Sequence, residues 1–163
     1  MGYSICGADE DKDQSLNICS WRALLILAYS FGWKPKGTVF YCWQVNKTGE
    51  KIHPLYVDEN RKDGGWVKDG DWSGTYFTND WQEITAEDAH NLAKALKRAL
   101  LIIPDEGVNA PELPQGCRES SDDEIHALLD NREYLISFWS GLAGKQKIGD
   151  CIELFKSGSC NIA

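Results

Sequence analysis

No apolar run in this chain is long enough to cross a bilayer. The longest, Ala23–Tyr29, is a third of the roughly 20 residues that a spanning helix needs. The opening MGYSICGADEDKDQ has no basic n-region and no apolar h-region, so no secretory signal is expected. It begins Met-Gly, but Cys6 stands where a myristoylation motif wants Ser or Thr, and no membrane partner is expected. Basic residues are also scarce: 17 Lys+Arg face 25 Asp+Glu, a formal charge of −8. That balance argues against nucleic acid as a partner, because such affinity rests on neutralising phosphates.

The signatures of common chemistry are missing as well. There is no G-x-S-x-G, phosphate loop, dinucleotide fingerprint or H-E-x-x-H. The histidines, His53, His90 and His126, have no metal-like spacing to one another or to Cys and Asp. Six cysteines (Cys6, Cys19, Cys42, Cys117, Cys151, Cys160) form no C-x-x-C pair. A chain of 163 residues can build a core without disulfides, so reduced thiols and a cytoplasmic location are expected.

What is present predicts a single α+β domain spanning 1–163: a small antiparallel sheet with three to four helices on one side. The clearest element is Ile84–Pro104. Thr85 and Asp88 make a capping box, and Ala89, Leu92, Ala93, Leu96, Ala99, Leu100 and Ile103 form an apolar stripe. Glu87, Asn91, Lys94 and Arg98 fall on the other face, and Pro104 stops the helix. Leu16–Phe31 predicts a nearly buried helix capped by Asn17 or Ser20, with Gly32 at C′, Trp33 folding back and Pro35 preventing continuation.

Tyr3–Cys6, Gly37–Val45, Lys51–Val57, Trp66–Val67 and Thr75–Phe77 read as strands, the second and third as a hairpin. Beyond the central helix come a Pro/Gly loop over Asp105–Ser120 and a helix from the Ser121/Glu124 box. A second helix is expected over Tyr134–Leu142 after a kink near Asn131, and a break over Gly144–Gly149. A short helix over Asp150–Ser157 ends at Gly158, and a strand over Asn161–Ala163 closes the chain.

In FGWKPKGT and TAEDAHNLAKALKRAL the chain resembles a group of small uncharacterised bacterial proteins. They carry a Gly-Trp-x-Pro-x-Gly-Thr turn followed by an Asp-Ala-x-x-Leu-Ala-x-Ala-Leu helix. Gly32, Trp33, Pro35, Gly37, Thr38, Asp88, Ala89, Leu92, Ala93, Ala95 and Leu96 carry the match. The resemblance implies a bacterial cytoplasmic protein and imports no reaction.

Three stretches compete as sites. Between Asp105 and Glu133 nine acids face two bases, a net of −7 that is nearly the whole excess. One account is a solvated face that maintains solubility. The other is a surface aimed at a basic partner, using Glu112, Glu119, Asp122, Asp123, Asp130 and Glu133. Asp69, Asp71, Ser73 and Asp80, with Gly74 at the sixth position, imitate a calcium loop. A Gly- and Asp-rich hairpin would write the same letters, and no cofactor is otherwise expected. The earlier acids Asp9, Asp11 and Asp13 lack the Gly and the closing Glu of such a loop. Third, Trp66, Trp72, Tyr76 and Trp81 can stack on a sugar or small ring, or seal the sheet.

The reading favoured by these residues is an acidic cytoplasmic interaction module of the inhibitor or immunity type, binding a basic protein. The alternatives are a small-ligand or carbohydrate binder using 58–81, and an enzyme with a Cys/His/Asp site assembled in space. No catalytic residue is named, and the balance is against an enzyme.

Overall fold

The computed structural model describes residues 2–37, 41–45, 51–52, 66–68, 76, 82–108 and 131–163; at Glu10, 41–45, 51–52 and 66–68 only the backbone is described. The chain opens with β1 (Gly2–Gly7), which turns through a short 3₁₀ segment (Glu10–Lys12) into β2 (Gln14–Asn17). Two acids of that turn serve it locally. Asp9 pairs with Lys12 at 2.9 Å, and Asp13 Oδ1 accepts from the Gly7 amide at 3.0 Å.

Leu16 was expected in the first helix but lies in β2, buried opposite Tyr3. The boundary is set by Asn17, whose side chain accepts from the Ser20 amide at 2.7 Å and starts α1 at Ile18 (Ile18–Ser30). Trp21, Ala23, Leu24, Leu25, Leu27 and Ala28 of α1 are all buried. The helix ends as its sequence predicts. Gly32 takes φ +89°, its amide donates to Tyr29 O at 3.0 Å, and the Trp33 amide donates back to Ala28 O at 2.9 Å.

Next come β3 (Tyr41–Val45), β4 (Lys51–Ile52) and β5 (Trp66–Lys68), which form an antiparallel three-stranded sheet in the order β4-β3-β5. The predicted hairpin is present, with Gln44 opposite Ile52. Then follow β6 (Gln82–Ile84), α2 (Ala86–Leu100), α3 (Arg132–Phe138), α4 (Leu142–Lys156) and β7 (Cys160–Ile162).

The larger sheet is wholly antiparallel, in the order β2-β1-β7-β6. The final strand therefore sits inside the sheet, between the first strand and β6. Alternation divides its faces. Tyr3, Ile5, Leu16, Ile84, Cys160 and Ile162 are buried beneath the helices, whereas Ser4, Ser15, Glu83 and Asn161 are exposed on the other side. The α+β architecture with helices against one face of a small antiparallel sheet is as predicted.

Helix α2 is the middle of the helical layer, packed on both α1 and α4. Ala89, Leu92, Ala93, Ala95, Leu96 and Ala99 are buried. Its N-terminal half reaches the end of α4, where His90 Nε2 lies 3.2 Å from Lys156 O. Beyond its C-terminal end, Pro104 O accepts from the Gly141 amide at 3.0 Å, so the two helices run antiparallel. The helix stops at Leu100 rather than at Pro104. The Ile102 and Ile103 amides both turn back to Ala99 O, which drives Ile103 inward and leaves Leu101 outside.

The largest departure from the sequence reading is α4. The expected break over Gly144–Gly149 is continuous helix. At Gly144 a Cβ would fall on the Trp139 carbonyl, so this glycine permits the close approach of α4 to the end of α3. Ile148, Cys151, Ile152, Leu154 and Phe155 bury one side of the helix, and this packing outweighs the poor helix propensity of its glycines.

Candidate functional site

The structure brings together residues that sequence reading kept apart. Trp33 folds back beneath the end of α1, and its indole Nε1 donates to Asp88 O at 3.1 Å. The chain after Pro35 then passes the Asp88 side chain. Asp88 Oδ1 accepts from the Lys36 amide at 2.9 Å, and Oδ2 accepts from the Gly37 amide at 2.9 Å. Gly37 has φ +87°, a conformation that suits glycine at a turn wrapped round a carboxylate. The turn Gly32–Gly37 and the start of α2 thus meet at one buried carboxylate that is only 1% exposed.

Half of the predicted capping box forms at Asp88. Its amide does donate to Thr85 Oγ1 at 3.2 Å, but its carboxylate points to the turn rather than back to the cap. A buried carboxylate needs donors on both oxygens, and the turn supplies them.

The third donor is Tyr76, whose hydroxyl reaches Asp88 Oδ2 at 2.6 Å. Its ring stacks on Trp33 with centroids 5.9 Å apart, and its carbonyl accepts from Trp21 Nε1 at 2.9 Å. Burial, and then the neighbouring Asp88 carboxylate, push the phenol well above its usual range. Tyr76 is fully buried, lies outside any strand, and has φ 53°, in the left-handed region that non-glycine residues seldom occupy. It therefore leaves the set of aromatics available to a surface ligand: both its ring and its hydroxyl are committed to the core.

The other candidates fall as follows. Trp66 begins β5; Trp72 and Trp81 lie outside the described residues, as do Asp69, Asp71, Ser73 and Asp80. Among the described residues no cluster of three or more His, Cys, Asp or Glu side chains can hold a metal ion. Of the acidic set, Glu112, Glu119, Asp122, Asp123 and Asp130 lie outside the described residues, as does the helix expected from Ser121.

Glu133 is exposed in the first turn of α3, where the helix dipole favours it, beside the Asn131 cap. Asp105 pairs with Lys145 of α4, and Glu106 is exposed. His90 is exposed against a backbone carbonyl, whereas His53 and His126 lie outside the described residues. Cys151 and Cys160 are buried, and burial pushes each thiol up to about 12, the opposite of what a nucleophile needs.

Sequence reasoning missed the Asp88–Tyr76 contact altogether. The available signal was a capping-box Asp at the start of α2; nothing local pairs it with Tyr76, twelve residues upstream. The hub has all its donors and acceptors engaged and is closed to solvent, so its chemistry is structural. No family model, curated protein or solved structure matches this chain.

Proposed function

We propose that this chain is an acidic protein-interaction module of the inhibitor or immunity type, working in the cytoplasm against a basic partner protein. The observation that carries the reading is the concentration of charge: nine acids against two bases between Asp105 and Glu133. A helix beginning at Ser121, as the sequence predicts, would give a local reason for Asp122, Asp123 and Glu124, but not for Glu112, Glu119 or Asp130. Exposed Glu106 and Glu133 at the margins of this stretch support the same reading. Binding of this kind requires a stable scaffold and a charged surface, and no reacting group.

The test is an association-rate measurement on partners captured by the immobilised protein at low salt and released at high salt. Changing Glu112→Lys, Glu119→Lys and Asp130→Lys together should slow association by about tenfold or more at low salt. The melting temperature should stay nearly constant, because exposed charges contribute little to stability. A wild-type association rate for the triple variant would dismiss the reading.

A further inference from the structure

The Asp88 carboxylate binds the chain at two points, one on either side of the small sheet in sequence. Its Oδ2 accepts from the Gly37 amide at 2.9 Å and from the Tyr76 hydroxyl at 2.6 Å. Beyond Gly37 the chain forms β3, β4 and β5, and by Tyr76 it is back at the same oxygen. Within that excursion the strands pair with one another. β3 takes β4 on one side and β5 on the other, with Tyr41 opposite Lys68, Trp43 opposite Val67 and Gln44 opposite Trp66. The outgoing strand thus pairs with the returning one. None of the three pairs with the four-stranded sheet, and their main contacts are with each other.

The anchor itself belongs to the helical body. Asp88 lies in the first turn of α2, its carbonyl accepts from Trp33 Nε1, and the Tyr76 carbonyl accepts from Trp21 Nε1 of α1. With Gly37 and Tyr76 held at one oxygen, only short stretches separate Tyr41 and Lys68 from a common fixed point. The entropy lost in bringing β3 and β5 together is correspondingly small. The sheet has little strength of its own. Its strands are five, two and three residues long, and the β3–β5 register shifts between Tyr41 and Trp43.

We infer that Asp88 is the clasp at the neck of an inserted unit, and that the sheet β3–β5 unfolds cooperatively as that unit, ahead of the four-stranded sheet and its helices. Stability in a folded chain is commonly divided in this way, with weaker units opening while the core stays closed. Because one carboxylate holds both ends, weakening either end should loosen the whole small sheet and not merely the strand beside it. The inference holds whether or not the chain binds a basic partner.

The test is hydrogen exchange of the full chain, followed amide by amide by NMR at urea concentrations below the unfolding midpoint. The protected amides of β3 and β5 should converge on one opening curve, exchanging about tenfold or more faster than the amides of β1, β7, α2 and α4. Tyr76→Phe keeps the ring on Trp33 and should speed exchange in both β3 and β5 by about tenfold or more. Gly37→Ala places a side chain at φ +87° and should speed exchange in the same two strands by about fivefold or more.

Wild-type β3 and β5 amides that exchange on the curve of the body would overturn the inference, because no separate unit would then exist. Amides without protection there would overturn it too, since the clasp would hold nothing closed. Both results come from the wild-type chain and stand even if a variant fails to fold. Variants that speed neither strand, or only the nearer one (β3 for Gly37→Ala, β5 for Tyr76→Phe), would mean that the two ends fray independently and that Asp88 does not join them.

Discussion

The Tyr76 hydroxyl donates to Asp88 Oδ2 at 2.6 Å, and neither side chain is open to solvent. With the Lys36 and Gly37 amides this completes a buried carboxylate held by three donor groups from two distant parts of the chain. Removing the carboxylate in Asp88→Ala strands all three, and should cost roughly 3–5 kcal/mol in urea unfolding. Tyr76→Phe keeps the ring on Trp33 and loses only a charge-assisted bond, about 1.5–3 kcal/mol. In the double variant the two losses should fall well short of additive; simple additivity would mean that the groups do not act together.

The two glycines inside α4 should respond in opposite directions. Gly144→Ala places a methyl against the Trp139 carbonyl and should destabilise by about 1–3 kcal/mol. A Cβ on Gly149 meets nothing within 4 Å, so Gly149→Ala should stabilise by roughly 0.5–1 kcal/mol through helix propensity alone. Thermal melts of the two variants would show whether α4 is held against α3 as described.

Stability should fall on the alkaline side. Burial pushes the thiols of Cys151 and Cys160 up to about 12, above the 9.0 ordinary for a thiol. Both thiols stay protonated in the folded chain while the unfolded chain ionises. Their contribution is thus whole below pH 9 and is lost as pH rises towards 12, at up to about 1.4 kcal/mol per pH unit for each thiol. Tyr76, also shifted upward, acts in the same direction above pH 10. Urea midpoints collected from pH 7 to pH 11 should decline, and Cys160→Ala should flatten the slope. At neutral pH the same two thiols should be alkylated far more slowly than Cys6 and Cys19, which are partly exposed.

The boundary between β2 and α1 depends on one side chain. Asn17→Ala removes the acceptor of the Ser20 amide and should cost about 1 kcal/mol, whereas Asn17→Asp should retain most of the stability. A loss in Asn17→Asp equal to that in Asn17→Ala would mean that the cap is not what holds this junction.

By itself the sequence determined whatever neighbours along the chain decide. The Thr85 cap and the Ala/Leu stripe of α2, the Asn17 cap, the Gly32–Trp33 ending of α1, the Gln44–Ile52 hairpin and the stop at Gly158 all follow from local dihedral preferences and from periodicity. The acidic excess of 105–133 was equally plain, because charge is counted and not folded. The tertiary structure alone decided where long-range partners compete with local preference. Two glycines were compatible with a break until packing on Trp139 and the core made them helix. Leu16 carried a helical pattern until pairing with Tyr3 made it strand. Tyr76 looked like an aromatic for a ligand until Asp88, twelve residues away, required its hydroxyl. A buried carboxylate must be satisfied and an apolar face must be covered, but nothing in a linear pattern states which distant group will do so.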